Sequence, residues 1–89
     1  MEMAAVIKKA KKIEWKEVDG ETIILKKEKN KFFILNKTGT FIWKKINGKN
    51  TEKKISLALA KKYDIAEEKA LADTKQITKK LFSFGLAKK

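Results

Sequence analysis

The pattern of apolar and polar positions changes its period near the middle of the chain. Between residues 13 and 35, apolar residues alternate with charged ones or form short runs, as they do in β-strands. After residue 36 they recur every three or four positions, which is the spacing of one face of an α-helix. The pattern therefore predicts an α+β fold in which the strands come first and the helices follow.

The first half of the chain predicts a three-stranded antiparallel meander. The predicted strands are Ile13–Val18, Glu21–Lys27 and Lys31–Leu35. Asp19 and Gly20 separate the first two strands, and this dipeptide readily takes the positive φ angles of a tight hairpin turn. The side chains expected to face the core are Trp15, Ile23, Leu25, Phe33 and Leu35. By strand alternation, Phe32 and Ile34 point to the other face.

The second half predicts a three-helix bundle. The helices run from about Lys37 to Ile46, from Glu52 to about Lys62, and from after Asp64 to about Phe84. The candidate N-caps are Asn36 or Thr38 for the first helix, Thr51 for the second, and Asp64 paired with Glu67 for the third. Glycine readily takes the positive φ that follows a helix, so Gly48 and Gly85 are expected to end the first and third helices.

Each predicted helix has an apolar stripe for the core. The stripes are Phe41, Ile42 and Ile46 in the first helix, Ile55, Leu59 and Tyr63 in the second, and Ala70, Thr74, Ile77, Leu81 and Phe84 in the third. The third helix also carries a second, mixed stripe of Leu71, Lys75, Thr78 and Phe82. This second stripe fits either a groove-facing surface or partial burial against a neighbouring element.

The length of 89 residues predicts one domain, because a chain of this size supports a single core. We expect that domain to span residues 13–89. Residues 1–12 are basic and offer little to bury, so they are expected to form a flexible N-terminal tail. No apolar run is long enough to cross a membrane or to act as a secretion signal, which favours a cytoplasmic protein without a membrane partner.

The charge balance favours an acidic partner. The chain has 23 basic and 11 acidic residues, a net charge of +12, and every basic residue is lysine. Such a surface suits nucleic acid, an anionic membrane surface or an acidic peptide. The absence of arginine argues against base reading in DNA, which relies on its bidentate guanidinium. Many of the lysines also fit an ordinary solvated surface.

The chain lacks the residues that most catalytic and metal sites need. It contains no cysteine and no histidine, which excludes thiolate sites and histidine general bases. Ser56 and Ser83 lie in helical patterns without a base at useful spacing. We therefore expect no enzymatic activity, no metal and no cofactor.

The segment Leu35–Gly48, with the sequence LNKTGTFIWKKING, resembles the PqqD family. Further markers stand in the order and spacing of that family: the hairpin at Val18–Glu21, the threonine-led second helix, Tyr63-Asp64 and Phe84-Gly85-Leu86. The resemblance covers roughly Ile13 to Leu86. Ala66 departs from the family pattern, which has a better helix cap there.

The resemblance implies a winged helix-turn-helix-like domain of the type called a RiPP recognition element. Such domains bind the leader segment of a ribosomally made precursor peptide as an added strand on the third strand, beside the third helix. They then deliver the leader to a modifying enzyme, such as a radical SAM protein or a cyclase. The product would be PQQ or another modified peptide.

Carried over by position, the peptide-binding edge would be Lys31, Phe32, Phe33, Ile34 and Leu35. From the stripe pattern we expect the helix wall to be Leu71, Lys75, Thr78 and Phe82, with Lys79 nearby. Lysines around the groove would favour an acidic leader. An open strand edge also invites self-pairing, so the chain is expected to be a monomer or an edge-paired homodimer.

The alternative function is a DNA-binding winged helix. Gly48–Asn50 would form the turn of a helix-turn-helix, and Thr51–Lys62 would be the recognition helix. Glu52 is poorly placed to face phosphates, and acidic residues stand at the tip of the hairpin that would act as the wing. Together with the absence of arginine, these features make nucleic acid the less favoured partner.

Overall fold

The structure, a computed structural model, describes residues 5–89 and confirms the predicted order of strands and helices. Its elements are β1 (Lys8–Lys9), β2 (Ile13–Val18), β3 (Glu21–Lys26), a 3₁₀ turn (Lys27–Lys29), β4 (Lys31–Leu35), α1 (Lys37–Lys45), α2 (Glu52–Tyr63), α3 (Glu67–Ser83) and β5 (Ala87–Lys88). The strands β2, β3 and β4 form one antiparallel sheet in that order. The three helices follow it, as the pattern predicts.

The predicted hairpin at Asp19 and Gly20 is present and sets the register of the sheet. Both residues have positive φ, 53° and 82° respectively, as a tight two-residue turn requires. Val18 therefore pairs with Glu21, and Trp15 pairs with Ile24. Ile24 pairs in turn with Phe33 of β4.

This register corrects the predicted core face of β3. Residues directly opposite each other in a sheet share a face, so Ile24 faces the core together with Trp15 and Phe33. Ile24 is fully buried, whereas Ile23 and Leu25, which we predicted to face the core, are only half-buried on the opposite face. The prediction for Phe33 and Leu35 agrees with their half-buried positions against the core.

The helix boundaries confirm some of the predicted caps and correct others. Asn36 caps α1, accepting a hydrogen bond from the Gly39 N–H at 2.8 Å, and Thr51 caps α2. The prediction that Asp64 caps α3 is wrong, because Asp64 has a φ of 52° and ends α2 instead. The N-cap of α3 is Ala66, which offers no side-chain hydrogen bond.

The two predicted glycine stops differ in outcome. Gly85, with a φ of 71°, follows the end of α3 as expected. Gly48 also has a positive φ, but α1 already ends at Lys45 with Ile46 as its C-cap.

The core lies between the helices and the inner face of the sheet. Its fully buried members include Ile24, Ile42, Trp43, Ile46, Ile55, Leu59 and Ala70. Phe41 and Ile77 of the predicted stripes are only half-buried, and Tyr63 and Phe84 are exposed. Thr74 and Thr78 are almost completely buried, so α3 turns a partly polar side toward the protein interior.

The segment from Val6 to Ala10 is packed rather than flexible, which corrects this part of the predicted tail. Ile7 is fully buried in the core, and its N–H donates to the Asn50 carbonyl at 3.0 Å. Strand β1 pairs with β5 at the other end of the chain. Residues 1–4 of the predicted tail lie outside the described residues.

The side chain of Lys9 in β1 contacts the backbone of Ile46 and two tryptophan rings. Its Nζ donates to the Ile46 carbonyl at 2.6 Å and lies 5.3 Å and 5.0 Å from the ring centroids of Trp15 and Trp43. Partial burial desolvates the ammonium and lowers the pKa of Lys9 below its ordinary value.

Within residues 5–89, no helix is both long enough and apolar enough to cross a membrane.

Candidate functional site

Strand β4 has a free edge. It pairs with β3 on one side, and among residues 5–89 no strand pairs with its other side. In an antiparallel sheet, hydrogen-bonded residue pairs alternate with pairs that are not hydrogen-bonded. Val18 and Glu21 flank the two-residue turn and form a hydrogen-bonded pair, which fixes the alternation through β3 to β4. It follows that Phe33 bonds back to β3, while the N–H and C=O groups of Phe32 and Ile34 point away from the sheet. These groups offer a template for one more strand.

An apolar groove runs between this edge and helix α3. Its volume is about 430 Å³. The main apolar side chains that line it are Phe33 and Leu35 of β4, Ile77, Leu81 and Phe84 of α3 and its end, and Leu86. The rings of Phe33 and Phe84 lie against each other, with centroids 4.9 Å apart. The groove thus places side-chain pockets directly beside the unpaired backbone groups.

Local features of the sequence hold the two walls of the groove in position. A Cβ on Gly39 would lie 3.1 Å from the Leu35 Cβ, so glycine allows the first turn of α1 to sit against the end of β4. At the other end, the Lys26 Nζ donates to the Phe84 carbonyl at 2.9 Å and ties the end of α3 to β3. The groove is therefore supported at both ends.

The five residues predicted on the strand all lie together at this site. Phe33 and Leu35 contribute to the groove floor, and Lys31 lies where the strand begins. Phe32 and Ile34 are 67% and 70% exposed, on the outer face of the sheet. Beside them on that face are Leu25 and Ile23, so the outer face is apolar as well.

The residues predicted on α3 do not line this groove, and their part in peptide binding stays a prediction. The wall is formed by Ile77, Lys80 and Phe84 rather than by Leu71, Lys75, Thr78, Lys79 and Phe82. Thr78 faces α2, where its Oγ1 donates to the Glu52 Oε2 at 2.6 Å. Lys75 and Lys79 stand two residues from Ile77, about 200° around the helix, on its far side. Phe82 lies in a neighbouring pocket.

Sequence reasoning assigned the residues of this groove wall to the core instead. Ile77 and Phe84 both belong to the stripe predicted to face the core, but Ile77 is only half-buried and Phe84 is exposed. Their partial exposure comes from the position of β4, which leaves a gap over the end of α3 that no other described element fills.

A second, basic pocket adjoins the groove where β4 begins. It shares Phe33 and Phe84 with the groove and adds the side chains of Lys26, Lys29 and Lys31. The described residues contain no group of three or more histidine, cysteine or acidic side chains placed to hold a metal ion. A ligand at this site would meet unpaired backbone groups, apolar side chains and lysine ammonium groups.

The acidic residues near the predicted recognition helix and wing do not favour DNA binding. Glu52 in the first turn of α2 is half-buried and accepts the hydrogen bond from Thr78. Asp19 and Glu21 are exposed at the β2–β3 turn.

Two solved structures share this fold. The structure described as TbiB1 in complex with the TbiA(beta) leader peptide has a TM-score of 0.83 at 18% sequence identity, covering 91% of this chain and 94% of that chain. The structure described as lasso peptide synthetase B1 complexed with the leader peptide has a TM-score of 0.84, also at 18% identity, covering 96% and 100%.

Comparison with curated protein sequences gives no match. The sequence profile of coenzyme PQQ synthesis protein D (PqqD), however, matches residues 21–86. This range contains β3, β4, all three helices and both walls of the groove. The chain belongs to the PqqD family.

Proposed function

We propose that this chain is a non-catalytic adaptor that binds the leader segment of a ribosomally made precursor peptide and presents it to a modifying enzyme. The observation that carries the proposal is the free edge of β4 at Phe32 and Ile34, which runs beside an apolar groove. Membership of the PqqD family supports it, as do the two structural matches, which are both described as complexes with leader peptides.

The leader would bind as an added β-strand. Its backbone would bond to the outward groups of Phe32 and Ile34, which supplies affinity with little demand on sequence. Successive side chains of a strand point to opposite faces. Leader residues opposite Phe33 and Leu35 would therefore enter the groove, and the residues between them would lie on the outer face.

Charge would favour an acidic leader. Lys80 on the helix wall and Lys31 at the start of β4 border the bound strand, and the chain as a whole carries a net charge of +12. Charges at the rim of a site mainly raise the association rate and its sensitivity to salt.

The receiving enzyme would supply the chemistry that this chain lacks, since the full sequence has neither cysteine nor histidine. A radical SAM protein or a cyclase fits this role, and the cytoplasm, where precursor peptides are made, is the proposed meeting place. The adaptor itself would need no cofactor and would act as a monomer when its edge is occupied.

Amide hydrogen exchange measured by NMR tests the proposal. The probe is a peptide selected from a displayed random library for binding to this chain, with duplex DNA as a comparison. We expect the peptide to slow exchange at Phe32 and Ile34 selectively, because Phe33 and Leu35 already bond to β3. Binding of DNA alone, or peptide binding without protection at Phe32 and Ile34, would contradict strand addition at this edge.

A further inference from the structure

The basic pocket at the start of β4 is more polar than the groove that it adjoins. Its volume is about 340 Å³, and its members include Lys26, Lys29, Lys31, Phe33, Phe84 and Gly85. Phe33 and Phe84 belong to both the pocket and the groove, so a peptide strand in the groove would pass directly beside the three lysines.

One of the three ammonium groups is held in place. The Lys26 Nζ donates to the Phe84 carbonyl at 2.9 Å, which leaves two of its three N–H donors for a ligand. Gly85, with a φ of 71°, makes room for this group, because a Cβ there would lie 2.5 Å from the Lys26 Nζ. The pocket therefore contains a positioned donor as well as two exposed lysines.

Within residues 5–89, Lys26, Lys29 and Lys31 form no ion pair. Lys26 and Lys31 are directly opposite each other in the sheet, and like charges in that arrangement repel. The ion pairs formed within residues 5–89 use Lys27, Lys44 and Lys69 instead. A bound anion would relieve the repulsion between Lys26 and Lys31.

The register of an added strand determines which peptide residue reaches the pocket. Lys31, Phe33 and Leu35 lie on the same face of β4, so their three opposite positions in a bound strand also share that face. A peptide residue opposite Lys31 is thus two positions from the residue that enters the groove at Phe33.

We infer that the lysine pocket is a carboxylate-binding subsite, which selects Asp or Glu at the peptide position opposite Lys31. This inference rests on the proposed strand addition and makes it more specific. The recognised core is an acidic residue, any residue, an apolar residue, any residue and a second apolar residue. The direction of the bound strand decides whether this order is read forward or in reverse.

Selection from a displayed library of random dodecapeptides tests the subsite. The library is selected against the unchanged chain, against the double variant Lys29→Gln/Lys31→Gln, and against Lys75→Gln/Lys79→Gln as a control of equal net charge on the far side of α3. We expect Asp or Glu two positions from a spaced apolar pair with the unchanged chain and the control. With Lys29→Gln/Lys31→Gln we expect the apolar pair with a reduced frequency of the acidic residue.

A titration of one selected peptide and its Glu→Gln form quantifies the effect. We expect the Gln form to bind the unchanged chain about fivefold more weakly than the Glu form, the scale of an exposed ion pair. On Lys29→Gln/Lys31→Gln, which keeps only Lys26 of the cluster, we expect a clearly smaller difference between the two peptides. An equal loss on both proteins would overturn the subsite.

An Ile34→Pro variant separates the two possible failures. If the selected peptides lose affinity for the Ile34→Pro variant but show no preference for an acidic residue, the subsite is overturned while strand addition stands. Recovery of no peptide that depends on Ile34 would contradict strand addition, and the subsite with it.

Discussion

The ring of Phe33 in β4 lies against the ring of Phe84 at the end of α3, with the two planes inclined by 40°. This contact spans the groove and joins the strand that offers free backbone groups to the helix that offers side-chain pockets. Because Phe84 also accepts the Lys26 hydrogen bond through its backbone, its position does not depend on its ring alone. The ring can therefore be tested separately from the fold.

Replacing Phe84 with alanine should weaken peptide binding about tenfold, because the ring forms a groove wall at the centre of the site. The ring is 49% exposed, so the free energy of unfolding should fall by only about 1 kcal/mol. Tyr63→Ala is the matched control, since Tyr63 is 42% exposed and packs against Phe41. Peptide titration and urea unfolding provide the measurements. An equal loss of binding in both variants would place the peptide elsewhere.

Replacing Ile34 with proline should reduce peptide affinity at least about tenfold, because it removes an outward N–H that the bound strand needs. The Ile34 N–H makes no hydrogen bond to β3, so the sheet loses none, and an edge strand tolerates proline there. Ile34→Val keeps the N–H and should change affinity less than about twofold. Calorimetric titration measures both, with circular dichroism as the check on folding. A folded proline variant of unchanged affinity would exclude this edge.

Replacing Ile7 with alanine should lower the free energy of unfolding by about 3 kcal/mol, because the side chain is fully buried in the core. The same change at Ile34, which is 70% exposed, should cost no more than about 0.5 kcal/mol. Denaturant unfolding of the two variants makes the comparison. Equal small effects would mean that the N-terminal segment does not pack as described.

The stability of the protein should depend on the ionisation of Lys9 at alkaline pH. Because desolvation lowers its pKa in the folded state, the folded chain binds fewer protons than the unfolded chain between that pKa and the ordinary value of 10.5. Stability contributed at this position therefore rises with pH through that window. Relative to a Lys9→Met variant, the unchanged chain should gain free energy of unfolding as pH increases from neutrality toward 10.5.

Urea unfolding of both proteins at several pH values checks this prediction. The two proteins share every other ionisable group, so the contributions of those groups largely cancel in the difference. A difference that stays flat or falls with pH would show that the Ile46 carbonyl and the two indole rings outweigh desolvation.

The core face of β3 could have been predicted from the turn that precedes this strand. Residues 22–25 are Thr-Ile-Ile-Leu, a run in which three consecutive apolar residues hide the alternation of faces. The turn resolves it, because a two-residue loop at Asp19 and Gly20 pairs Trp15 with Ile24. The turn geometry and the apolar pattern together predict the core face correctly, whereas the pattern alone did not.

The groove wall on α3 was harder to predict because burial there does not follow polarity. Thr78 is buried against α2 through its bond to Glu52, although a threonine beside lysines suggests a surface position. Ile77 is half-exposed because β4 leaves a gap above it. Both facts depend on how distant elements pack, which helical spacing alone does not contain. The free edge of β4, by contrast, follows from the order of the strands, so the strand half of the candidate site could be proposed from the sequence.

The N-terminal segment gave little local signal. Ile7 and Val6 form only a two-residue apolar run between alanines and lysines, with no period to mark a strand. Its burial depends on contacts with the loop at Gly48 and Asn50, and the strand beside it pairs with the far end of the chain. Such long-range pairings are invisible to a local pattern.

The free edge of β4 can accept only one neighbour at a time. A homodimer built by pairing two β4 strands would therefore hide both copies of the site, and leader binding would compete with self-association. In that case the apparent affinity for the leader would fall as the protein concentration rises, and the leader would dissolve the dimer. The chain would then be a monomer when a leader is bound and a dimer with both β4 edges paired when no leader is bound.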